Sequence, residues 1–588
     1  MSNFYTDDRN VQILIALLKA HGIHKIVASP GTTNMALVSS CQYDPWFEMY
    51  SCVDERSAAY MACGLAAESE EPVVLTCTGA TASRNYFPGL TEAYYRKLPI
   101  LAVTFFDSYH GIGNLVPQMI DRSVSPKDTV RYKIELPPVK DEADFKFAEL
   151  KLNTAILELR RNGGSPVHVN LENARKKFTT KELPPVRVIN RITRKNNFPV
   201  IPKEAKRIAI YICSHSSWTK SQIESIDAFC QRNNAVVFCD HTSGYKGKYR
   251  MMFSLVAAQD RYSSPLCRPD LLIHIGEMSG DYTIYGRMSS AKEVWRVNED
   301  GEVRDTFGKL RYIFAMDEQD FFDYYTKNPI SNSVATDEYL QSCILEHSRL
   351  SDKIPELPFS NVWIAKTVTP KIPEESFLHF GVSNTMRSWT FFDVPNSVST
   401  SANVGGRGID GMLSALIGAS LVSPNALHFG VLGDLTFFYD MNSLGNRHVG
   451  KNLRILLVNN GRGTEFRLYM HPGEKMLGND ADSYVAAAGH FGNQSPDLVK
   501  NYVTALGFEY LYASNKTEFS TVVDRFLTPE ITDKPMLLEV FTDSQDESDA
   551  VKSLRNLEIL KATQQKDLTR RIIGKRGVQV LKKVLGKK

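Results

Sequence analysis

Short apolar runs alternate with helical patterns through the first hundred residues of the chain. Four of these runs have the length of strands: His24–Ser29, Phe47–Val53, Pro72–Thr78 and Leu98–Thr104. Helical patterns lie between or before them: one is capped by Asp7 or Asp8 and ends at Gly22, and the others extend over Glu55–Glu68 and Ser83–Arg96. Such alternation is typical of a parallel sheet covered by helices on both faces. The pattern therefore predicts a doubly wound α/β domain at the N-terminal end.

The same alternation recurs twice further along the chain. A second set of strands is predicted at Arg207–Ser214, Leu271–Gly276 and Val294–Asn298, and a third at Ser376–Gly381, Ala426–Gly433 and Leu453–Asn460. Stretches that contain several prolines separate the sets, at Leu183–Lys206 and Ser351–Ser360. We therefore predict three doubly wound α/β domains with parallel sheets over residues 1–183, 207–350 and 351–545, a linker over 184–206 and a C-terminal tail over 546–588.

Composition limits the class of protein. The chain has 588 residues, 43% hydrophobic and 23% charged, which is typical of soluble globular proteins. No apolar run approaches the length of a membrane span, and the first ten residues lack the basic start of a signal peptide. The nine cysteines form no CxxC pair. We expect reduced thiols in the core of a cytoplasmic protein.

Basic charge is concentrated at the C-terminal end. Residues 551–588 contain twelve Lys or Arg and two acidic residues, a formal charge of +10, whereas the whole chain carries +3. Val578, Leu581 and Leu585 have helical spacing, which suits an amphipathic segment on an anionic membrane surface. A solvated, frayed tail is the other interpretation. No aromatic residues interleave the charges over Arg570–Lys588, so we predict no nucleic-acid partner.

Polar residues close two predicted strands of the third domain. Gly433-Asp434-Leu435 follows one strand, and Asn459-Asn460-Gly461-Arg462 follows the next. Ligands of open α/β sheets bind at the carboxyl ends of strands. A carboxylate and an amide oxygen suit Mg²⁺, and the neighbouring glycines let the backbone approach a diphosphate. Each segment taken alone is more often a simple turn, but the pair together favours a metal and diphosphate site.

This pair resembles the thiamine-diphosphate motif of the 2-oxo acid decarboxylase and carboligase superfamily. The family most similar is the menaquinone-pathway 2-succinyl-5-enolpyruvyl-6-hydroxy-3-cyclohexene-1-carboxylate synthase. The likeness extends over roughly residues 5–545 and is strongest in the first and third domains. Its blocks are SPGTTN from Ser29, VDERSAAYMACGLA from Val53, NYFPGLTEAYYRKLPILAVT from Asn85, GVSNTMR from Gly381, GIDGMLS from Gly408 and GDLTFFYDMN from Gly433.

The resemblance implies thiamine diphosphate and Mg²⁺ as cofactors, with pyrimidine-binding, central and diphosphate-binding domains in chain order. Glu55 matches the catalytic glutamate that hydrogen-bonds the aminopyrimidine ring, and Gln118 matches an active-site glutamine. The expected cofactor-binding residues are Glu55, Ser383, Ile409, Gly433, Asp434, Leu435 and Asn460. The expected metal ligands are Asp434, Asn460 and the backbone carbonyl of Arg462. From the residues alone, Glu55 also suits a helix N-terminus and Ile409 a core position.

Departures from the family pattern fall on substrate positions. Thr32 and Thr33 stand where the family has Ser-Arg, Val404 stands where it has arginine, and Glu465 replaces an apolar residue. The missing arginines are expected to bind carboxylates. Arg84 and Arg407 are new, and they either restore an anion site or are merely solvated. The candidate substrate residues are Thr32, Thr33, Arg84, Arg387, Arg407 and Phe466.

The resemblance implies an enzyme that decarboxylates a 2-oxo acid and ligates the product to an unidentified acceptor. A decarboxylase without ligation and a non-catalytic, membrane-docked scaffold are the alternatives. Pyruvate, 2-oxoglutarate and phosphonopyruvate all stay open as donors. In this superfamily Glu55 and the diphosphate site come from different subunits, so a homodimer or homotetramer is expected. The expected location is cytoplasmic, with peripheral membrane contact if the tail binds lipid.

Overall fold

The computed structural model describes residues 4–329, 337–489 and 495–558, and the basic segment Arg570–Lys588 lies outside these ranges. The described residues form two units. The first unit contains the residues up to Lys195 together with Gly301–Ile313. The second unit contains Asn196–Asp300 and the residues from Phe314 onward.

Six parallel strands form the sheet of the first unit. Their spatial order is Glu48–Ser51, Lys25–Ala28, Val73–Cys77, Ile100–Phe106, Val167–Glu172 and Tyr132–Leu136. The helices are Arg9–Ala20, Met35–Gln42, Glu55–Ser69, Ala80–Asn85, Phe87–Tyr95 and Glu142–Glu158. Short strands are Tyr5–Thr6, Phe178–Thr180, Asn190–Ile192 and Leu310–Phe314. Asn190–Ile192 falls inside the predicted linker.

Alternate residues of these strands enter two separate hydrophobic cores. Val74 and Leu101 pack into one core, whereas Val73 and Leu75 pack into the other. Because successive side chains of a strand point to opposite faces, both faces of the sheet are buried. A strand that is buried on both faces is apolar at nearly every residue, which agrees with the apolar runs from which the parallel sheet was predicted.

The predicted helix Ser83–Arg96 is wrong in one respect, because the structure has two helices there. Ala80–Asn85 ends before Tyr86, and Phe87–Tyr95 begins with Pro88 in its first turn. Proline suits the first turn of a helix and disrupts an interior, since it has no backbone N–H. The break lies next to Asn85, which contacts Glu55.

The second unit contains two parallel sheets. Five strands of the first belong to this unit, in the order Arg250–Met251, Ala235–Cys239, Ile208–Ile212, Leu271–Ile275 and Glu293–Val297. The helices that follow these strands in the chain are Lys220–Asn233, Ser254–Ala257, Tyr282–Met288, Glu318–Lys327 and Glu338–Ser351. The order in the second sheet is Ser399–Ala402, Phe377–Phe380, His428–Gly433, Leu453–Asn459, Met536–Phe541 and Glu509–Ala513. Its helices are Asn361–Val368, Asn384–Trp389, Met412–Val422, Asp434–Asp440, Pro472–Leu477, Pro496–Ala505, Lys516–Phe526 and Ser544–Leu554.

The second of these sheets is also buried on both faces. Val431 and Leu456 enter one core, and Leu432 and Leu457 enter another. Parallel sheets flanked by helices confirm the predicted fold class. The bounds of the three predicted domains, the linker and the tail stay predictions. All nine cysteines are free thiols, eight of them buried. Among the described residues, no helix has both the length and the apolar character needed to cross a membrane.

Candidate active site

A cavity of about 190 Å³ opens at the carboxyl ends of the second sheet of the second unit. Phe377–Phe380 and His428–Gly433 are neighbours in this sheet, and the strand between them in the chain, Ser399–Ala402, lies at the edge. Strand order therefore reverses at this point, which is where open α/β sheets bind ligands. The lining includes Ser383, Asn384, Ile409, Gly433, Asp434, Leu435, Asn460, Arg462, Thr464, Glu465 and Phe466.

Asp434 is the buried carboxylate of this cavity. The strand register sets Gly433 opposite Val458, so Asp434 and Asn460 lie at neighbouring strand ends. The backbone N–H of Leu435 donates to Asp434 Oδ1 at 2.8 Å, and that of Gly461 donates to Oδ2 at 2.6 Å. Burial nevertheless raises the pKa of Asp434 to about 6. A nearby cation would favour the charged form, so the site suits a metal ion.

Oxygen atoms of two further residues fit the same metal. Asn460 Oδ1 accepts a hydrogen bond from Thr464 Oγ1 at 2.7 Å, which orients the amide at the cavity wall. The Arg462 side chain bonds to Asp482 at 2.9 Å, and its carbonyl accepts from the Thr464 N–H. Among the described residues no three His, Cys, Asp or Glu side chains form a metal cluster. A metal here would thus use carboxylate, amide, carbonyl and diphosphate oxygens, a set that suits Mg²⁺.

The opposite wall contains a strained residue and an unsatisfied amide. Ser383 has φ +63° and ψ −123°, a conformation that residues other than glycine seldom adopt. Asn384 Oδ1 is buried without a hydrogen-bond partner among the described residues. Groups of this kind concentrate at ligand sites. Asn384 Oδ1 can only accept, so it suits an N–H or O–H donor of a ligand, whereas a diphosphate would be held through a metal at Asp434 and Asn460.

Arg387 and Arg407 both lie against the ring of Tyr282, and Arg387 also contacts Glu465 of the cavity wall. Arg387 forms a two-point ion pair with Glu465, its Nε donating to Oε2 at 3.3 Å. Arg407 has its guanidinium 4.0 Å from the Tyr282 ring centroid. The sequence interpretation left Arg407 open between an anion site and a solvated residue; the structure places it half-buried against an aromatic ring, and its role stays a prediction. Phe466 and Ile409 line the cavity itself.

Glu55 begins the helix Glu55–Ser69 of the first unit. Asp54 is the N-cap, and its side chain accepts from the Ser57 N–H at 3.0 Å. Glu55 is half-buried, and Asn85 Nδ2 approaches its Oε2 at 3.5 Å. The carboxylate follows the strand Glu48–Ser51, so it lies at the ligand-binding edge of its own sheet.

The other candidates of the first unit lie on loops and short turns. Gln118 is exposed with φ +67°, and Thr32 is exposed. Thr33 Oγ1 is buried without a partner among the described residues. Arg84 is exposed and donates to the Asp121 carbonyl at 3.2 Å. A cavity of about 370 Å³ near this loop is lined by residues from Ala28 to Gly31 but by neither threonine.

Sequence reasoning missed several residues near these sites. Asn361 lines the cavity, and its N–H donates to the buried Glu547 at 2.9 Å. Arg122 of the first unit is held by neutral acceptors, namely Thr104, Phe105 and Asn170. Glu547 lies 186 residues from Asn361, and no spacing rule could have joined them. The Ser360-Asn361 helix start was the only local signal.

Comparisons with known proteins identify relatives of this chain. Residues 9–124 match the family described as "Thiamine pyrophosphate enzyme, N-terminal TPP binding domain". The chain is 30% identical over 569 residues to the 2-succinyl-5-enolpyruvyl-6-hydroxy-3-cyclohexene-1-carboxylate synthase of Bacteroides thetaiotaomicron, covering 93% of this chain and 98% of the relative. The same-named proteins of Bacteroides fragilis and Flavobacterium johnsoniae are similar. The Bacteroides fragilis protein is 31% identical, with 93% of this chain and 98% of the relative covered. The Flavobacterium johnsoniae protein is 27% identical, with 90% of this chain and 95% of the relative covered.

Parallel sheets, the family match and full-length relatives together define a thiamine-diphosphate-dependent enzyme. Within that class, the chain belongs to the family of the 2-succinyl-5-enolpyruvyl-6-hydroxy-3-cyclohexene-1-carboxylate synthases. The resemblance described from the sequence blocks is confirmed.

Proposed function

We propose that this enzyme uses thiamine diphosphate and Mg²⁺ to decarboxylate a 2-oxo acid and transfers the remaining acyl unit to an acceptor. The observation that carries the proposal is the meeting of Asp434 and Asn460 in one cavity at the carboxyl edge of a parallel sheet. The family match covers Glu55, at the edge of another sheet. The protein thus has residues suited to both ends of the cofactor.

The protein residues would have separate tasks in this reaction. The bound cofactor supplies a carbon nucleophile for the donor carbonyl and accepts the electrons that decarboxylation releases. Asp434, Asn460 and the Arg462 carbonyl would hold Mg²⁺, while Ser383, Gly433 and Leu435 line the diphosphate space. Ile409 supplies an apolar wall. We assign to the Glu55 carboxyl the hydrogen bond to the aminopyrimidine and the proton shared with it.

The relatives suggest the chemistry of the donor. Their printed name describes a product that carries a succinyl group on a cyclohexene carboxylate. A four-carbon succinyl unit arises when a five-carbon 2-oxo dicarboxylic acid loses CO₂, so 2-oxoglutarate is the first donor to test. The acceptor is not proposed beyond its need for an electrophilic carbon. Simple decarboxylation is the second candidate, because Glu465 neutralises an arginine at the substrate rim.

We further propose that the active site is shared between two subunits of a homodimer or homotetramer. The helix Glu55–Ser69 exposes Tyr60 and Met61, and the helix Met412–Val422 exposes Leu421 and Val422. Contiguous exposed apolar residues are typical of surfaces that another chain covers. Gln118, Thr32, Thr33 and Arg84 are proposed as substrate contacts from the first unit. The cytoplasmic location and the membrane contact of the tail stay predictions.

The test measures CO₂ release from a panel of 2-oxo acids with saturating thiamine diphosphate and Mg²⁺. Wild type should release CO₂ from at least one donor, with 2-oxoglutarate expected to be the best. Glu55→Gln should reduce the rate by at least about 100-fold, since the amide cannot hold the proton. Glu68→Gln, an exposed change on the same helix, is the matched control. Aldehyde accumulation without a ligated product would favour simple decarboxylation.

Two results would contradict the proposal. The first is no CO₂ from any donor although calorimetry shows the cofactor bound. The second is a Glu55→Gln rate equal to that of wild type, which would remove the assigned role of that carboxyl group.

A further inference from the structure

A carboxyl group lies buried in the apolar core next to the proposed metal site. Glu539 is in the middle of the strand Met536–Phe541 and is fully buried. Its partner in the neighbouring strand Leu453–Asn459 is Leu457, which belongs to one apolar core together with Leu537. Burying a carboxyl group among such side chains costs free energy, and an apolar residue of similar size would pack there without that cost. The carboxyl group therefore has a task other than packing.

Hydrogen bonds from two side chains hold this carboxyl group. Asn459 Nδ2 donates to Glu539 Oε1 at 2.8 Å, and the Tyr510 hydroxyl donates to Oε2 at 2.8 Å. A carboxylate only accepts hydrogen bonds, so it faces the NH₂ group of the Asn459 amide and fixes the orientation of that side chain. Asn459 and Leu457 lie two residues apart on one face of their strand, which sets Asn459 diagonally opposite Glu539. The pair thus connects two neighbouring strands near the carboxyl end of the sheet.

Asn459 is the last residue before the turn that contains two of the proposed metal ligands. The strand ends at Asn459, and the turn at 460–462 follows. The backbone carbonyl of Asn459 accepts from the Thr542 N–H at 3.1 Å, so the residue is held through its main chain and its side chain. Gly461 then has φ +76°, and its N–H donates to Asp434 Oδ2 at 2.6 Å. The direction in which the turn leaves the strand therefore depends on how Asn459 is held.

We infer that Glu539 is a positioning residue of the metal site, and that through Asn459 it fixes the turn at 460–462 and thereby sets the affinity for Mg²⁺. This inference rests on the proposed function, in which the turn supplies two oxygen ligands, and deepens it. Asn460 and Arg462 line the cavity, whereas Glu539 does not, so it acts on the metal only through the turn. Mg²⁺ demands near-ideal octahedral geometry, so a displacement of its ligands weakens binding. Residues that orient metal ligands typically change metal affinity by about 10- to 100-fold when they are replaced.

The test measures the dissociation constant of Mg²⁺ by calorimetry on the full chain with saturating thiamine diphosphate. Glu539→Leu removes the acceptor for Asn459 and should weaken Mg²⁺ binding by about 10- to 100-fold. Glu539→Gln keeps that acceptor, and the Tyr510 hydroxyl can accept from the new amide N–H. Its Mg²⁺ dissociation constant should therefore stay within about threefold of the wild-type value. Rescue by the conservative variant is the result that a positioning hydrogen bond requires.

Two further measurements separate positioning from a general loss of stability. Val523→Ala, on the helix Lys516–Phe526, removes buried apolar contacts in the same unit and is the control. It should lower the thermal midpoint without ligands but leave the dissociation constant of Mg²⁺ unchanged. In the CO₂-release assay, Glu539→Leu should raise the Mg²⁺ concentration for half-maximal rate by the same factor as the dissociation constant. Its rate at saturating Mg²⁺ should stay within about threefold of the wild-type rate, because Glu539 does not touch the reacting atoms.

A double-mutant cycle tests the route through Asn459. Asn459→Ala removes the donor of the hydrogen bond and should weaken Mg²⁺ binding about as much as Glu539→Leu does. If Glu539 acts through Asn459, the double variant should bind Mg²⁺ within about threefold of either single variant. Tyr510→Phe removes only the hydrogen bond on the far side of the carboxyl group, and Mg²⁺ binding should stay close to that of wild type.

The outcomes distinguish this inference from the proposed function. If Glu539→Leu binds Mg²⁺ as tightly as wild type, the inference is wrong and the proposed function stands. An equal loss of affinity in Glu539→Gln and Glu539→Leu would mean that negative charge, not the hydrogen bond, supports the metal, and this too would overturn the positioning role. Additive losses in the cycle would exclude the route through Asn459. If wild type binds no Mg²⁺ beside the cofactor, the proposed metal site fails, and the inference fails with it.

Discussion

Ser383 in the cavity wall and Arg407 in the nearby glycine-rich segment have backbone conformations that favour glycine. Ser383 has φ +63° and Arg407 has φ +52°. Neither lies inside a regular helix or strand; Ser383 lines the cavity, and Arg407 lies two residues before Ile409, which also lines it. Strain that persists in a folded protein is maintained by the structure around it. At the residue scale, one constraint thus lies in the cavity wall and the other in the glycine-rich segment that leads to Ile409 of that wall.

Ser383 permits a direct measurement of that strain. Ser383→Gly should be more stable than Ser383→Ala by about 1 kcal/mol, because both remove the hydroxyl but only glycine accepts the positive φ without a steric penalty. Chemical unfolding of the two variants in the absence of cofactor gives the difference. Ser388→Ala and Ser388→Gly, inside the short helix Asn384–Trp389 that Ser383 precedes, are the control pair, for which alanine should be the more stable. Equal stability of the two Ser383 variants would remove the argument from strain.

Asp434 gives the second prediction at this scale. Because Asp434 is proposed to hold Mg²⁺, cofactor and metal together should stabilise wild type by roughly 2.7 kcal/mol at a hundredfold excess over the dissociation constant. Asp434→Asn should lose most of this gain at the same concentrations. The measurement is the thermal midpoint with and without thiamine diphosphate and Mg²⁺. Asp497→Asn, an exposed change in the same unit, should respond as wild type does. A full response of Asp434→Asn would contradict the metal assignment.

Site residues could be predicted from the sequence where their position along the chain marks the end of a strand. Asp434 and Asn460 each follow an apolar strand, and neighbouring parallel strands bring such positions together. Asn384 and Glu547 carry no such signal. The partner of Arg387 was also missed, although Glu465 was noted as a departure, because an ion pair over 78 residues depends on tertiary packing. Long-range polar contacts have no short sequence pattern, so they could not be predicted.

At the scale of elements, one buried carboxyl joins two helices behind the cavity. Glu547 on the helix Ser544–Leu554 accepts from the N–H of Asn361, at the start of the helix Asn361–Val368, and from Thr542 Oγ1 at 2.7 Å. The cap residue Ser360 holds the same helix start through the Trp363 N–H. Burial raises the pKa of Glu547 to about 7. The position of Asn361 in the cavity wall therefore depends on the packing of these two helices.

This carboxyl predicts a pH dependence of stability. Its pKa is higher in the folded protein than the ordinary value of 4.5, so its stabilising contribution is complete below pH 4.5 and is lost as pH rises through 7. Glu547→Gln cannot ionise and should escape that loss. At pH 8 the variant should be more stable than wild type by about 1 to 3 kcal/mol, and the difference should vanish or reverse near pH 4.5. Urea unfolding at several pH values measures it.

Asp549→Asn on the exposed face of the same helix is the matched control for Glu547→Gln. It should not change the slope of stability against pH over this window. Some slope should persist in Glu547→Gln itself, because burial also raises the pKa of Glu539 to about 7. If Glu547→Gln is less stable than wild type at pH 8, the buried carboxyl is held as an anion and the predicted sign is wrong.

Element type was predictable from the sequence wherever the apolar period was clear. The predicted strand Leu453–Asn460 became Leu453–Asn459, and the predicted helix Glu55–Glu68 became Glu55–Ser69. The break between Asn85 and Phe87 was missed because aromatic residues continue the apolar pattern across it, although Pro88 indicated a helix start. The strand Asn190–Ile192 lies in the stretch that was predicted to be a linker. It was missed because three residues are too few to show the alternation of apolar and polar side chains.

At the scale of the whole molecule, the exposed apolar helix faces bear on assembly. The helix Met412–Val422 is apolar nearly all round, yet Gly418, Leu421 and Val422 are exposed. A helix of that composition is normally buried on all sides. Tyr60, Met61 and Gly64 form a comparable exposed face on the helix that begins with Glu55. These faces are the surfaces we expect a second copy of the chain to cover, with Glu55 and Asp434 then contributed by different subunits.

Subunit complementation tests that arrangement. Glu55→Gln and Asp434→Asn should each be inactive alone, because one removes the proton-holding carboxyl and the other a metal ligand. If each active site takes Glu55 from one subunit and Asp434 from the other, a mixed dimer has one intact site and one doubly defective site. Random exchange makes half of the dimers mixed, so about a quarter of the wild-type activity should return on mixing. Unfolding and refolding the variants together, followed by a CO₂-release assay, measures the recovery.

The recovered fraction separates the two possible site arrangements. Sites built within single subunits would leave every site in the mixture defective, and activity would stay at the level of the separate variants. A mixture of Glu55→Gln with Glu55→Gln/Asp434→Asn controls for refolding, because no pairing of these chains restores Glu55. Recovery in the first mixture but not in the control would mean that Glu55 and Asp434 of one active site come from different subunits. Each chain would then contribute half of each of two sites, and the dimer would be the smallest catalytic unit.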